Sequence, residues 1–171
     1  MGKKSKNTSK HGADMNNIKE NLIKYKIDLP EATKPIANYS PFLIVNNLVF
    51  ISGQIPLIKS KVTYQGKVGS DLSISDGIEA SKLCILNTFG VLNAAVNNNT
   101  LLIKRCVKIT VFINSAKDFI EQPVVADGAS NLIHNILGEN GNHTRSAVGV
   151  NSLPKNSSVE IDSIFEIDIE K

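Results

Sequence analysis

Residues 158–170 alternate with period two. Val159, Ile161, Phe165, Ile167 and Ile169 fall on one side, and Glu160, Asp162, Glu166, Asp168 and Glu170 on the other. That period is the signature of a strand with one buried face, and a strand this long must be paired within a sheet. Residues 143–150 read as a second strand: Val148 and Val150 favour β structure, and Leu153–Pro154 breaks the run. A short polar loop joins the two strands, which predicts a hairpin. The hairpin would bring Arg145 on the first strand near Glu160 on the second. A guanidinium suits two-pronged capture of a carboxylate, and a glutamate suits proton handling or water positioning. By residue type alone, the same two side chains also make an ordinary surface ion pair of little energetic value.

The rest of the chain supplies further strands and a helical layer. Residues 42–45 and 48–52 read as short strands joined across Asn46–Asn47, where asparagine tolerates a positive φ. Residues 103–113 form the strongest strand, with Val107, Ile109, Val111 and Ile113 alternating against Cys106, Lys108, Thr110 and Phe112. Two long helices are predicted. One spans residues 73–96 with a stripe of Ile78, Ile85, Phe89, Leu92 and Val96, capped either by Ser73 with Asp76 or by Asp76 with Glu79. The other spans residues 123–137, opened by Pro123 and closed at Gly138, with Val125, Ala129, Leu132 and Ile136 inward. Gly128 in its middle costs about 1 kcal/mol against alanine, so it is expected to permit close packing. Residues 16–26 form a short amphipathic helix through Ile18, Leu22 and Tyr25. Residues 59–71 read as a loop. The order predicts an α+β two-layer sandwich, a mixed sheet with two helices on one face plus a short N-terminal helix. Residues 1–14 are polar and aperiodic and read as a tail; residues 15–171 read as one domain.

Composition narrows the chemistry. The net charge is +3, but Lys3, Lys4, Lys6 and Lys10 sit in the tail, so the body is near neutral and no nucleic-acid partner is expected. Cys84 and Cys106 lie among apolar neighbours and read as buried free thiols. With no secretory segment and no long apolar span, a cytoplasmic location and no membrane partner are expected. No Cys/His set has metal-ligand spacing and no glycine-rich phosphate loop occurs, so neither a metal nor a cofactor is expected. His143, beside Thr144 and Arg145, suggests a general base but reads first as an exposed turn histidine, and His134 and His11 read as structural or inert.

Two blocks carry a family resemblance. Phe50-Ile51-Ser52-Gly53-Gln54-Ile55-Pro56 resembles the first hallmark block of the RidA/YjgF family. Arg145-Ser146-Ala147-Val148-Gly149-Val150, then Leu153-Pro154, then Val159-Glu160-Ile161 resembles the C-terminal one. With Tyr39 just upstream, the resemblance covers roughly residues 39–170. It implies a chorismate mutase-like fold and a homotrimer whose clefts lie between subunits. It also implies hydrolytic deamination of small enamine or imine intermediates to 2-oxo acids and ammonia, as in 2-iminobutanoate/2-iminopropanoate deaminases.

Carried over residue by residue, Arg145 would bind the substrate carboxylate and Glu160 would position or activate water. Tyr39, from across the subunit interface, and Ser52 would line the pocket, and Gly53 would allow close backbone approach. Two positions depart from the pattern. Ala147 stands where many members carry cysteine, which excludes a sulfur nucleophile there. Asp127 is nearest to a helical asparagine that faces the site in many deaminases, and a carboxylate there would alter substrate choice. Two other readings fit the same blocks: a trimer that binds small 2-oxo acids without turnover, and an endoribonuclease or translation inhibitor. The near-neutral body and the lack of aromatic–basic interleaving weigh against RNA.

Overall fold

A computed structural model describes residues 18–32 and 39–168. The expectations for the tail, for residues 16–17 and for Ile169 and Glu170 fall outside the described residues. Among the described residues seven strands and three α-helices occur in the order α1 (Ile18–Lys24), β1 (Phe42–Val45), β2 (Leu48–Gln54), β3 (Leu57–Ile58), β4 (Lys61–Val62), α2 (Ile74–Ala95), β5 (Ile103–Asn114), α3 (Gln122–Leu137), β6 (Thr144–Val150) and β7 (Val159–Ile167). Five strands form one mixed sheet in the order β1-β2-β7-β5-β6, and β3 and β4 form a separate two-stranded ribbon. The architecture is the expected α+β sandwich, with α2 and α3 packed on one face of the sheet.

The predicted hairpin between the last two strands does not form. β5 lies between them, parallel to β6 and antiparallel to β7. The reason is the 16-residue helix α3. A strand–helix–strand crossover places its two strands side by side and parallel, so β6 takes one edge of β5. β7 then enters on the other edge, between β5 and β2. The turn that makes this possible, Pro154–Asn156, places Lys155 and Asn156 at φ 54° and 55°.

Local chemistry explains the element ends. Ser73 caps α2: its hydroxyl accepts from the Asp76 N–H at 3.1 Å, and Asp76 Oδ2 accepts from the Ser73 N–H at 2.9 Å. The Ser73 hydroxyl, which donates to Asp76 Oδ2 at 2.6 Å, and then the Ser73 N–H hold the Asp76 carboxyl below its ordinary value. The β1–β2 turn has Asn46 at φ 53°. The region read as a loop, residues 59–71, contains the turn of the β3–β4 ribbon, at Lys59 and Ser60 with φ 48° and 66°, and its second strand. In β5 a register shift between Cys106 and Lys108 moves the phase of the alternation. Cys106 therefore joins the core while Val107 becomes half-exposed, the reverse of the uninterrupted pattern. At the N-terminus Ile18 is buried, and Asn21 Nδ2 donates to the Ile136 carbonyl at 3.0 Å. Tyr25 lies past the helix end and is exposed, against expectation, with the Lys24 ammonium 4.9 Å from its ring centre.

The core lies between the helices and the sheet. Ile85, Phe89 and Leu92 from α2 and Ala129, Ile133 and Ile136 from α3 are fully buried, against Val49, Ile109, Val111, Ile161 and Phe165 of the sheet. Phe89 and Phe165 meet edge to face, with ring centres 5.6 Å apart. Both cysteines are buried free thiols, and burial pushes Cys106 up to about 12, so neither is a nucleophile at neutral pH. Gly128 is where α2 and α3 touch. A Cβ there would stand 2.6 Å from the Ile78 carbonyl oxygen and 2.6 Å from Ser81 Oγ. Gly128→Ala should therefore cost about 1–3 kcal/mol by forcing the helices apart, despite alanine's better helix propensity. An unchanged urea midpoint would show that the helices have room to give.

Candidate functional site

The side chains singled out from the sequence fall into two groups on opposite faces of the sheet. Arg145 is aligned with Ile109 across the β5–β6 pair, and Ile109 is fully buried beneath the helices. Arg145 therefore points to the helical side. Glu160 is aligned with Phe112 across the β5–β7 pair, in the set of residues on the open side. Arg145 and Glu160 also stand on strands separated by β5. The proximity expected from a hairpin is thus absent within one chain.

The first group forms where the edge strand β6 meets α3. Arg145 is three-quarters buried and uses Nη1 for two bonds, to Asp127 Oδ1 at 2.8 Å and to Ser130 Oγ at 3.0 Å. Asp127 is more exposed, at 56%. Ser130 lies 3.1 Å from His143 Nε2, and His143 Nδ1 lies 2.6 Å from the Gly141 carbonyl oxygen. With a neutral imidazole the donors run in one order. Nδ1–H donates to the carbonyl, the Ser130 hydroxyl donates to Nε2, and Arg145 donates to Ser130. The chain of bonds fixes the guanidinium at one corner. Its Nε and Nη2 hydrogens have no partner among the described residues. A cavity of about 410 Å³ opens here, lined by Ser130, Asn131, His134, Asn142, His143 and Arg145. Ala147 shares the face of Arg145 but lies beside Val111 and packs against the core, so it does not reach this cavity.

The second group lies across the sheet. A register shift between Ile51 and Gln54 interrupts the β2–β7 ladder and sets Ser52 and Gly53 at the bulge. Gly53 is needed there because Glu160 packs against its backbone: an added Cβ would fall 2.0 Å from Glu160 Oε1. Ser52 Oγ donates to the Ser40 carbonyl at 2.8 Å, tying the segment that carries Tyr39 to the sheet. Tyr39, Phe50, Ser52, Gly53, Lys108 and Asp162 line a cavity of about 570 Å³ on the open face. Glu160 is half-buried, and its carboxylate has no hydrogen bond or ion pair among the described residues. Burial lifts its carboxyl above the ordinary value, and the neighbouring charge of Asp162 adds to the effect.

Ser130 was not expected at a site, and His143 reads first as an exposed turn histidine. A signal for the first exists in the sequence: Asp127, Ser130, Asn131 and His134 recur at three- and four-residue spacing, a polar stripe beside the apolar one of α3. His143 carries no such signal, since its place depends on the turn that closes at Gly141. Among the described residues no group of His, Cys, Asp and Glu is arranged to hold a metal ion, and no helix is long and apolar enough to cross a membrane.

Comparison with known proteins adds the following. Residues 19–166 match the family described as "YjgF/chorismate mutase-like, putative endoribonuclease". The chain is 36% identical over 151 residues to the protein TCP17 of Trypanosoma cruzi, covering 88% of this chain and 94% of that one. It is 29% identical over 143 residues to a 2-iminobutanoate/2-iminopropanoate deaminase of Dermatophagoides farinae, covering 83% and 95%. Among solved structures, the protein Atu1372 of Agrobacterium tumefaciens, of unknown function, superposes with a TM-score of 0.83 at 44% identity, covering 88% of this chain and 92% of that one.

Proposed function

The chain belongs to the YjgF/chorismate mutase-like family, and on that premise we propose that it is a homotrimeric hydrolase of small 2-imino acids. Arg145 and Glu160 would meet only across a subunit boundary. The observation that carries this reading is their placement on opposite faces of one sheet, Arg145 lining one cavity and Glu160 packed on Gly53, which lines the other. A site made by one chain would leave the guanidinium without a base and the carboxylate without a substrate anchor. The open face also has surface to cover: Leu43 and Val45 are more than half exposed, and Phe50 and Val148 lie on the same face. A threefold ring that sets the β6 edge of one subunit against the open face of the next would bury that surface and join the two half-sites. The named deaminase among the relatives supports the choice of chemistry.

In this reading the substrate carboxylate takes the free guanidinium hydrogens of Arg145, and the neighbour's Tyr39 and Ser52 border the substrate. Glu160 holds water and accepts one of its protons as the C–O bond forms. The C–N bond then breaks, the water oxygen becomes the carbonyl oxygen, and both water protons leave on ammonium. Burial raises that carboxyl above its ordinary value, which makes it a stronger proton acceptor. Holding a substrate that carries its own carboxylate handle supplies orientation without covalent catalysis.

The test is complementation between subunits. Arg145→Ala and Glu160→Gln should each be inactive on freshly generated 2-iminobutanoate. After unfolding, mixing in equal amounts and refolding, about a quarter of the inter-subunit sites should carry both intact residues and activity should return in proportion. Light scattering should show a trimer throughout. No recovery on mixing, or a stable monomer at micromolar concentration, overturns the shared site.

A further inference from the structure

We propose that His143 is a positioning residue for the carboxylate clamp: its Nε2 lone pair holds the Ser130 hydroxyl, and the oxygen of that hydroxyl holds the Arg145 guanidinium. The inference rests on Arg145 as the group that takes the ligand carboxylate, and it gives His143 a part other than that of a general base. Two arms reach Arg145 Nη1. Asp127 Oδ1 accepts from it at 2.8 Å, but Asp127 is 56% exposed, and water weakens an ion pair so placed. Ser130 Oγ accepts from it at 3.0 Å, and both this bond and the Ser130–His143 contact at 3.1 Å are partly buried. The second arm is the better sheltered, and it ends on His143.

The direction of each bond follows from its ends. The Gly141 carbonyl only accepts. At 2.6 Å from Nδ1 it keeps the proton of a neutral imidazole on that nitrogen and leaves Nε2 bare. Ser130 then gives its one hydrogen to Nε2, and its oxygen faces Arg145 as an acceptor. A serine inside a helix has a rival partner, the carbonyl four residues back, which in α3 is that of Ala126. By taking the hydrogen, His143 keeps the hydroxyl turned toward Arg145 instead. With Nδ1 on a carbonyl and Nε2 on a hydroxyl, neither ring nitrogen is free to take a proton from water directly. Gly141 anchors this arm. A Cβ there would stand 2.8 Å from His134 Cα and 2.9 Å from the Ile133 carbonyl oxygen, so only glycine lets the turn sit against α3 and bring its carbonyl to the ring.

Two amides separate the two ends of the ring. Glutamine at 143 reaches as far as Nε2 and can accept from Ser130, whereas asparagine reaches only as far as Nδ1 and can donate to Gly141. The readouts are calorimetry with 2-oxobutanoate and steady-state turnover of freshly generated 2-iminobutanoate, both at neutral pH. Ser130→Ala and His143→Asn should each weaken 2-oxobutanoate roughly three- to tenfold, the contribution of one neutral hydrogen bond, and raise KM by a similar factor with little change in kcat. The double variant should lose no more than either single one, because both break the same arm. His143→Gln should keep most of the wild-type affinity. A histidine that only builds the turn predicts the reverse order, with asparagine the better amide. A general base predicts that His143→Gln keeps affinity and loses kcat. Either result, or losses that add in the double variant, overturns the proposal while leaving the clamp intact, provided that Arg145→Ala weakens 2-oxobutanoate. Ser130→Ala leaves the Gly141 bond in place, so it decides the matter even where His143→Asn fails to fold: unchanged 2-oxobutanoate affinity there overturns the proposal. If Arg145→Ala changes nothing, or the wild type does not bind 2-oxobutanoate at millimolar concentration, the clamp and this proposal fall together.

Discussion

Arg145→Ala should weaken the binding of 2-oxobutanoate by about 30-fold to several-thousand-fold, the cost of removing one partner from a desolvated, hydrogen-bonded charge pair. The magnitude follows from the burial of Arg145, which is three-quarters covered and held by Asp127 and Ser130. A freely solvated arginine would be worth well under about 1 kcal/mol and would give no ligand phenotype. Lysine keeps the charge and loses the fork, so Arg145→Lys should fall between alanine and the wild type. The fold should persist in both, because the side chain lies at the sheet's edge and Asp127 remains half exposed to water. A calorimetric titration in which Arg145→Ala binds as tightly as the wild type would end the carboxylate-clamp reading.

Glu160→Gln should lower turnover of 2-iminobutanoate by about a hundred- to ten-thousandfold, the usual contribution of a positioned proton acceptor. Ligand affinity should be nearly unchanged, since the amide keeps the shape that packs on Gly53. The same substitution should raise stability at neutral pH. The folded-state carboxyl is lifted by burial, so the native protein binds more protons than the unfolded chain as the group titrates, and stability falls as pH rises through that window. Glutamine does not pass through the window. Its advantage should be full above it and vanish below about pH 4, where both states of glutamate are protonated. Thermal melts at pH 4 and pH 7 separate the effects. Retained turnover would remove Glu160 from the mechanism, and equal melting at both pH values would mean that its burial imposes no charge penalty.

Local pattern determined much of this protein. Strand periodicity in residues 158–167 and 109–113, a capping box at the start of α2 and the proline entry of α3 all depend on residues a few positions apart. The blocks around Ser52 and Arg145 pointed to the family, and Arg145, Asp127, Glu160, Ser52, Gly53 and Tyr39 all border one of the two cavities or touch a residue that does. Three things were decided only in three dimensions. Strand order was one: a loop of polar residues suggests a hairpin, but α3 commits β6 to the outer edge of β5, and β7 must then insert on the inner edge. The β5 bulge was another, because a single extra residue exchanges Cys106 and Val107 between core and surface without any mark in the alternation. The last was the company each charge keeps. Facing direction follows from register with a neighbouring strand, not from sequence distance. So Arg145 turned toward Asp127, Ser130 and His143 on the helical side, and Glu160 toward Gly53 on the other.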